Sequence, residues 1–179
     1  MSNVRDEARE LLARCHAIIS CEGAAEQVVV EKLLEADALV VPAENVIDAT
    51  RKRSAAGIKE EYLNYDYPWP VCIARVLDSR TEKFALGKLY ARFRVLSFIT
   101  HPEVEVLAVI RERAWDKWKR SGKKPSDFCK QNLGMSDIKS SKFLAAYWDA
   151  DSIIEAAREY RKLSKSVGMS SAWRIWFGK

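Results

Sequence analysis

Val71-Cys-Ile-Ala-Arg-Val-Leu77, followed at once by Asp78-Ser79-Arg80, decides how this chain folds. The run is short, β-branched at three positions and preceded by Pro70, so it predicts a strand covered on both faces. Two similar runs flank it. Upstream, His16-Ala-Ile-Ile-Ser-Cys21 ends in Glu22-Gly23. Downstream, Val95-Leu-Ser-Phe-Ile99 leads into Thr100-His-Pro-Glu103-Val-Glu105. Each strand therefore delivers carboxylates just past its C-terminal end, the edge where open α/β sheets bind their ligands. Carboxylates gathered there need a cation, and phosphate chemistry on Mg²⁺ or Mn²⁺ is the usual reason for such a group.

Working outward, residues 2–14 read as a helix, with Val4, Ala8, Leu11 and Leu12 forming its apolar stripe. A first strand covers about Cys15–Cys21. The spacing of Ala25, Val28, Val29 and Leu33 predicts a helix over Ala24–Glu35, with Glu26, Glu31 and Lys32 on its polar side. Ala38–Pro42 reads as a second strand stopped by proline. Asn45–Arg53 and Ala55–Leu63 read as helical, Asn64–Pro70 as a loop and Lys83–Ala91 as a short amphipathic helix. Phe93–Ile99 is the fourth strand. Pro102–Ser121 reads as one long helix with Thr100 as its N-cap, followed by helices near 126–132, 137–147 and 151–165. The tail carries Trp173, Trp176 and Phe177. Strand and helix alternate through residue 121, so the expectation is an α/β fold with a mainly parallel sheet of about four strands. The expected organisation is an N-terminal helix (1–14), an α/β core (15–121) and a helical C-terminal extension packed on that core (122–179).

Bulk properties narrow the function classes. The 179 residues are 48% hydrophobic, enough for a packed core. The apolar stretches are too short for a membrane span, and the first residues lack the apolar core of a signal peptide. A cytoplasmic location is therefore expected. Cys15, Cys21, Cys72 and Cys129 contain no Cys-x-x-Cys pair and are joined by only His16 and His101, which argues against zinc. Cys15, Cys21 and Cys72, in or beside the strand runs, are expected to be reduced core residues. The net charge of +5 leans toward a polyanion partner. Phosphate-binding glycine loops, a dinucleotide fingerprint and a nucleophile elbow are all absent from the sequence.

Each acidic residue has a structural and a chemical reading. Glu22 either holds a metal or complements a helix dipole. Asp78 is a metal ligand or an N-cap. Arg80 contacts a phosphate or neutralises Asp78. Glu103 closes a capping box with Thr100. Glu105 lies in Val104–Ile110, apolar nearly all round, where a charge demands Arg75, Arg80 or a metal ion. Two basic clusters, Arg51-Lys-Arg53 and Lys119/Arg120/Lys123/Lys124, are solvated surface or phosphate contacts. Trp115 and Trp118 are packing residues.

The order of these signatures resembles the TOPRIM domain of topoisomerases, primases and OLD-type nucleases. Ile18-Ile-Ser-Cys-Glu22-Gly-Ala-Ala-Glu26 is similar to that family's first motif. Val76-Leu-Asp78-Ser-Arg80 is similar to its second, usually Asp-x-Asp, with Arg80 in place of the second Asp. Val104-Glu105-Val-Leu107 is similar to a further glutamate in small OLD-type relatives. Small bacterial and phage proteins share Leu-Asp-Ser-Arg, Pro-Glu-x-Glu and the Lys123–Lys130 stretch. The resemblance covers about residues 15–112.

The resemblance implies a Rossmann-like TOPRIM fold and a Mg²⁺- or Mn²⁺-dependent nuclease, with a role in phage defence. Its metal ligands would be drawn from Glu22, Asp78, Glu105 and Glu103, with Glu22 acting as general base or as metal ligand. Arg80 and Lys83 would steady the scissile phosphate of a nucleic acid, DNA favoured. With the second Asp missing, Glu82, Glu103 or Glu105 must substitute. Otherwise the domain is a catalytically silent module that binds nucleic acid or protein, or that forms a homo-oligomer. A phosphotransfer or nucleotidyl enzyme is a third reading.

Overall fold

The structure, a computed structural model, describes residues 4–78 and 82–165. Arg80 and the aromatic tail at 173–177 lie outside the described residues. Four parallel strands form one sheet in the order β2-β1-β3-β4: β1 His16–Cys21, β2 Val46–Thr50, β3 Val71–Leu77 and β4 Arg94–Ile99. The helices are α1 Val4–Arg14, α2 Ala24–Glu35, α3 Ala55–Ile58, α4 Val106–Arg111, α5 Trp115–Ser121, α6 Pro125–Asn132, α7 Ser141–Tyr147 and α8 Ala150–Lys165. None of them is long and apolar enough to cross a membrane.

β1 and β3 are strands covered on both faces, whereas β4 lies at the sheet's edge with Arg94, Val95 and Ser97 exposed. Ala17, Ile19, Cys21, Cys72, Ala74, Val76 and Phe98 join α2, α4 and α8 in the larger core. The helical C-terminal part belongs to this same core, through Phe128, Ile138, Leu144, Ile153 and Tyr160. Ile18, Val71 and Ile73 face the other way, onto Ile58, Tyr62, Leu63 and Phe93. Successive side chains of a strand alternate between faces, so one run serves both cores.

Several expectations are corrected. The second strand is Val46–Thr50, not Ala38–Pro42. Its alternation is hidden by a bulge: Ala17 pairs with Val46, but Ile18 pairs with Asp48. The Ala38–Pro42 segment instead buries Leu39 and Val41 in the larger core on the way to β2. Residues 83–91 are not an amphipathic helix. They belong to an extended strap in which Glu82, Phe84 and Leu86 are half-buried while Lys83, Ala85 and Gly87 are exposed, a period of two. A single helical turn, Lys88–Tyr90, ends the strap.

The long helix expected over 102–121 is broken. Arg113 adopts a left-handed conformation (φ 53°) between α4 and α5, and Ala114 N–H returns to the Val109 carbonyl at 2.9 Å. Cys15 and Cys72 are not reduced thiols. A disulfide joins them across β1 and β3, with Cα atoms 6.2 Å apart, while Cys21 and Cys129 are free and buried.

Candidate functional site

The strand order creates a switch point. From β1 the chain crosses through α2 to β2 on one side, then returns through α3 to β3 on the other. The α2 side chains pack in the larger core and α3 packs in the smaller one, so the two crossovers cover opposite faces. The C-terminal ends of adjacent β1 and β3 are where such a sheet opens a crevice. Glu22 leaves β1 there, and Asp78 leaves β3.

Hydrogen bonds fix both acids. Glu22 N–H extends the ladder to the Val76 carbonyl at 3.0 Å, and Asp78 N–H donates to Glu22 Oε2 at 2.7 Å. Thr100 ties the end of β4 to the same place, through its N–H (2.7 Å) and hydroxyl (3.1 Å) to the Leu77 carbonyl. The Asp78 carboxyl is raised above the usual carboxylate range. Burial is the chief cause, followed by its hydrogen bond to Glu22 and the charges of Glu22 and Glu103, while Lys139 pulls the other way.

Glu26, expected on the polar side of α2, is only 7% exposed. It occupies the third helical position after Gly23, and a Cβ on Gly23 would meet its Oε2 at 3.1 Å. Glycine at that turn leaves the carboxylate room to fold back toward the helix start. Burial pushes Glu26 up to about 7; its own backbone N–H opposes this, and the charges of Glu105, Asp78 and Glu22 add to it. Glu105 is also buried and raised, by desolvation first and then by Glu103 and Asp78, against its own N–H and Lys139. Its position differs from expectation. It stands at the N-cap of α4, not inside a helix, and its carbonyl accepts from Ala108 and Val109. Glu22, Asp78, Glu26 and Glu105 thus lie in one electrostatic neighbourhood, to which Glu103 also contributes.

Glu103 serves a different purpose. Its Oε2 accepts the buried N–H of Ser126 at 3.0 Å, at the start of α6. The capping box with Thr100 does not form. Glu103 caps a helix more than twenty residues downstream, and that carboxylate oxygen is committed to the fold.

A line of ion pairs runs along the other face. Arg75, 1% exposed in the middle of β3, donates to Glu82 at 2.7 Å and stacks 4.1 Å from the Phe84 ring. Glu82 is also 3.6 Å from Arg53, which reaches Glu22 at 3.3 Å. Arg75 therefore answers Glu82, not Glu105. Lys83 is exposed on the outer side of the strap, away from Arg75.

Of the predicted residues, then, Glu22 and Asp78 are in direct contact, and Glu105 is within electrostatic reach. Glu103 is engaged at α6 and Lys83 faces outward. Among the described residues, no three His, Cys, Asp or Glu side chains converge tightly enough to cage an ion. Glu26, Glu82 and Arg53 complete the arrangement; the sequence offered Glu82 only as a substitute for the missing second Asp and Arg53 only as a phosphate contact, and it gave Glu26 no role in the site. Glu26 had a signal, standing four residues after Glu22 and hence one helical turn into α2. No protein-family model, curated protein or solved structure matches the chain.

Proposed function

We propose that this edge is a divalent-metal site of TOPRIM type, acting on nucleic-acid phosphodiesters. One observation carries the reading: Glu22 and Asp78 touch at the switch point of a parallel sheet, with two further buried carboxylates within electrostatic reach. The donor set fits Mg²⁺ or Mn²⁺, hard ions that take one or two carboxylates and keep several waters. Glu22 and Asp78 would hold the ion, and no third ligand from the described residues is needed. Bound there, the ion would supply Lewis-acid stabilisation of phosphoryl charge and a more acidic water.

The chain's own residues divide the remaining work. Asp78 is positioned by its backbone, since its N–H is fixed by Glu22. Glu26 is poised to hold or release a proton near neutral pH, as a general acid or base must. Arg51, Lys52 and Arg53 are exposed just past the end of β2, with Arg53 against Glu22, and offer cations for a phosphate backbone. DNA is the favoured substrate.

A second reading, a silent binding module, has its own support. Glu22 is already paired with Arg53, and Arg80 stands where the family's second acid is expected. The deciding experiment incubates single- and double-stranded DNA and RNA with the protein and Mn²⁺. The metal-site reading expects cleavage that Glu22→Gln and Asp78→Asn abolish. Salt-dependent binding that survives both substitutions, without turnover, rejects it in favour of the module.

A further inference from the structure

Arg53 extends from the loop after β2 and occupies the one Glu22 oxygen not bound to the backbone. Glu22 Oε2 accepts the Asp78 N–H at 2.7 Å, and the Arg53 guanidinium lies 3.3 Å from Oε1. The same guanidinium is 3.6 Å from Glu82 Oε1. Glu82 is a fixed post, because its other oxygen is held by buried Arg75 at 2.7 Å. Arg53 is thus suspended between an anchored carboxylate and the carboxylate at the switch point. Its side chain is 47% exposed, so the pair with Glu22 is weak and open to exchange.

We infer that Arg53 is a built-in countercation that competes with a divalent ion for Glu22. The inference rests on the reading of Glu22 and Asp78 as metal ligands. Charge requires the competition: a guanidinium and a divalent cation on the same carboxylate oxygen repel each other, so one must give way. Glu82 makes the exchange reversible. When Glu22 releases Arg53, the guanidinium keeps its second partner and stays at the edge of the site. In the ion-free state Arg53 offsets the charge of Glu22, while Lys139 acts on Asp78 and Glu105. Arg53 is accordingly a positioning residue, setting how readily the site accepts an ion.

The test is Mn²⁺ binding to the full chain, by titration calorimetry and by the electron paramagnetic resonance of free Mn²⁺. Wild type is compared with Arg53→Gln, Arg53→Lys and Arg51→Gln. Arg53→Gln is expected to bind Mn²⁺ roughly two- to fivefold more tightly, the range set by losing one half-exposed ion pair. Arg53→Lys, which keeps the charge but not the forked contact, should fall between it and wild type. Arg51→Gln removes the same formal charge without touching Glu22, and should leave the affinity within a factor of about two. Unchanged or weaker binding by Arg53→Gln overturns the inference while leaving an ion site in place. Equal tightening by Arg51→Gln overturns it as well, by showing a general charge effect. If no protein binds Mn²⁺, the metal-site reading falls and the inference falls with it.

Discussion

Glu26→Gln should stabilise the protein at alkaline pH and leave it unchanged in acid. The carboxyl is 7% exposed and raised from its ordinary 4.5 to about 7, chiefly by burial. A carboxyl that holds its proton more tightly when folded makes the native state bind more protons than the unfolded chain. Stability then falls as pH rises across that interval. Below about 4.5 both states are protonated and Glu26 costs nothing. At about 7 the carboxyl is half ionised, and about a unit higher the buried charge is present nearly in full. Each pH unit of the interval is worth about 1.4 kcal/mol, so the penalty is of order 3 kcal/mol. Glutamine keeps the shape and the oxygen that accepts the helix N–H, and it never ionises.

In a domain of this size about 1 kcal/mol moves Tm by roughly 2–4 °C. Thermal melts followed by circular dichroism at pH 4.5 and pH 8 should show Glu26→Gln matching wild type in acid and melting roughly 5–10 °C higher at pH 8. Mn²⁺ at pH 8 should narrow the gap by stabilising the charged wild-type site. An equal effect of the substitution at both pH values, or no gain at pH 8, would refute the claim that Glu26 is buried among like charges.

Three other outcomes follow from the contacts. Glu103→Ala strands the buried Ser126 N–H and should cost about 1–3 kcal/mol in urea unfolding, whereas Glu103→Gln retains the acceptor and should cost less than half as much; equal losses would place the value of Glu103 in its charge. Glu82→Ala leaves the buried Arg75 guanidinium without its carboxylate and should destabilise by about 3–5 kcal/mol, against a much smaller loss for Arg75→Met, which removes the charge itself; the reverse order in chemical denaturation would show Arg75 solvated. Reduction, or Cys72→Ala, opens a cross-link spanning 57 residues, for which chain entropy predicts a loss of about 4 kcal/mol, read as a lower urea midpoint.

What the sequence disclosed, and what it hid, follows from the range of the interactions involved. The apolar runs at 16–21 and 71–77 were legible because a strand buried on both faces needs only local composition, and the edge strand at 94–99 was legible from its short β-branched and aromatic run. Those runs placed Glu22 and Asp78 correctly at the sheet's C-terminal edge. The second strand was not legible, because the bulge at Ile47 breaks the alternation by which a strand is recognised. The strap at 82–87 was lost for a related reason. Its period of two exists only because Arg75, a charged residue in the middle of β3, draws Glu82 and Phe84 onto the sheet. A buried guanidinium leaves no periodic trace of its own.

The acids divide along the same line. Glu103 carried a local explanation, Thr100 three residues before it, and the explanation failed because a distant helix start, at Ser126, offers the better donor. Glu26 carried the opposite local signal, a polar residue among Glu31 and Lys32, and yet it is buried. A single helix cannot announce that its polar residue faces a cluster of acids contributed by three other segments. The folded chain nevertheless retains Glu26 among Glu22, Asp78 and Glu105 at a cost comparable to a large part of a domain's net stability. Core packing offers no compensation for that arrangement, since a leucine would fill the space without the charge. A proton does so below about 7, and above it a ligand of opposite charge would, which is what the melts of Glu26→Gln with and without Mn²⁺ at pH 8 distinguish.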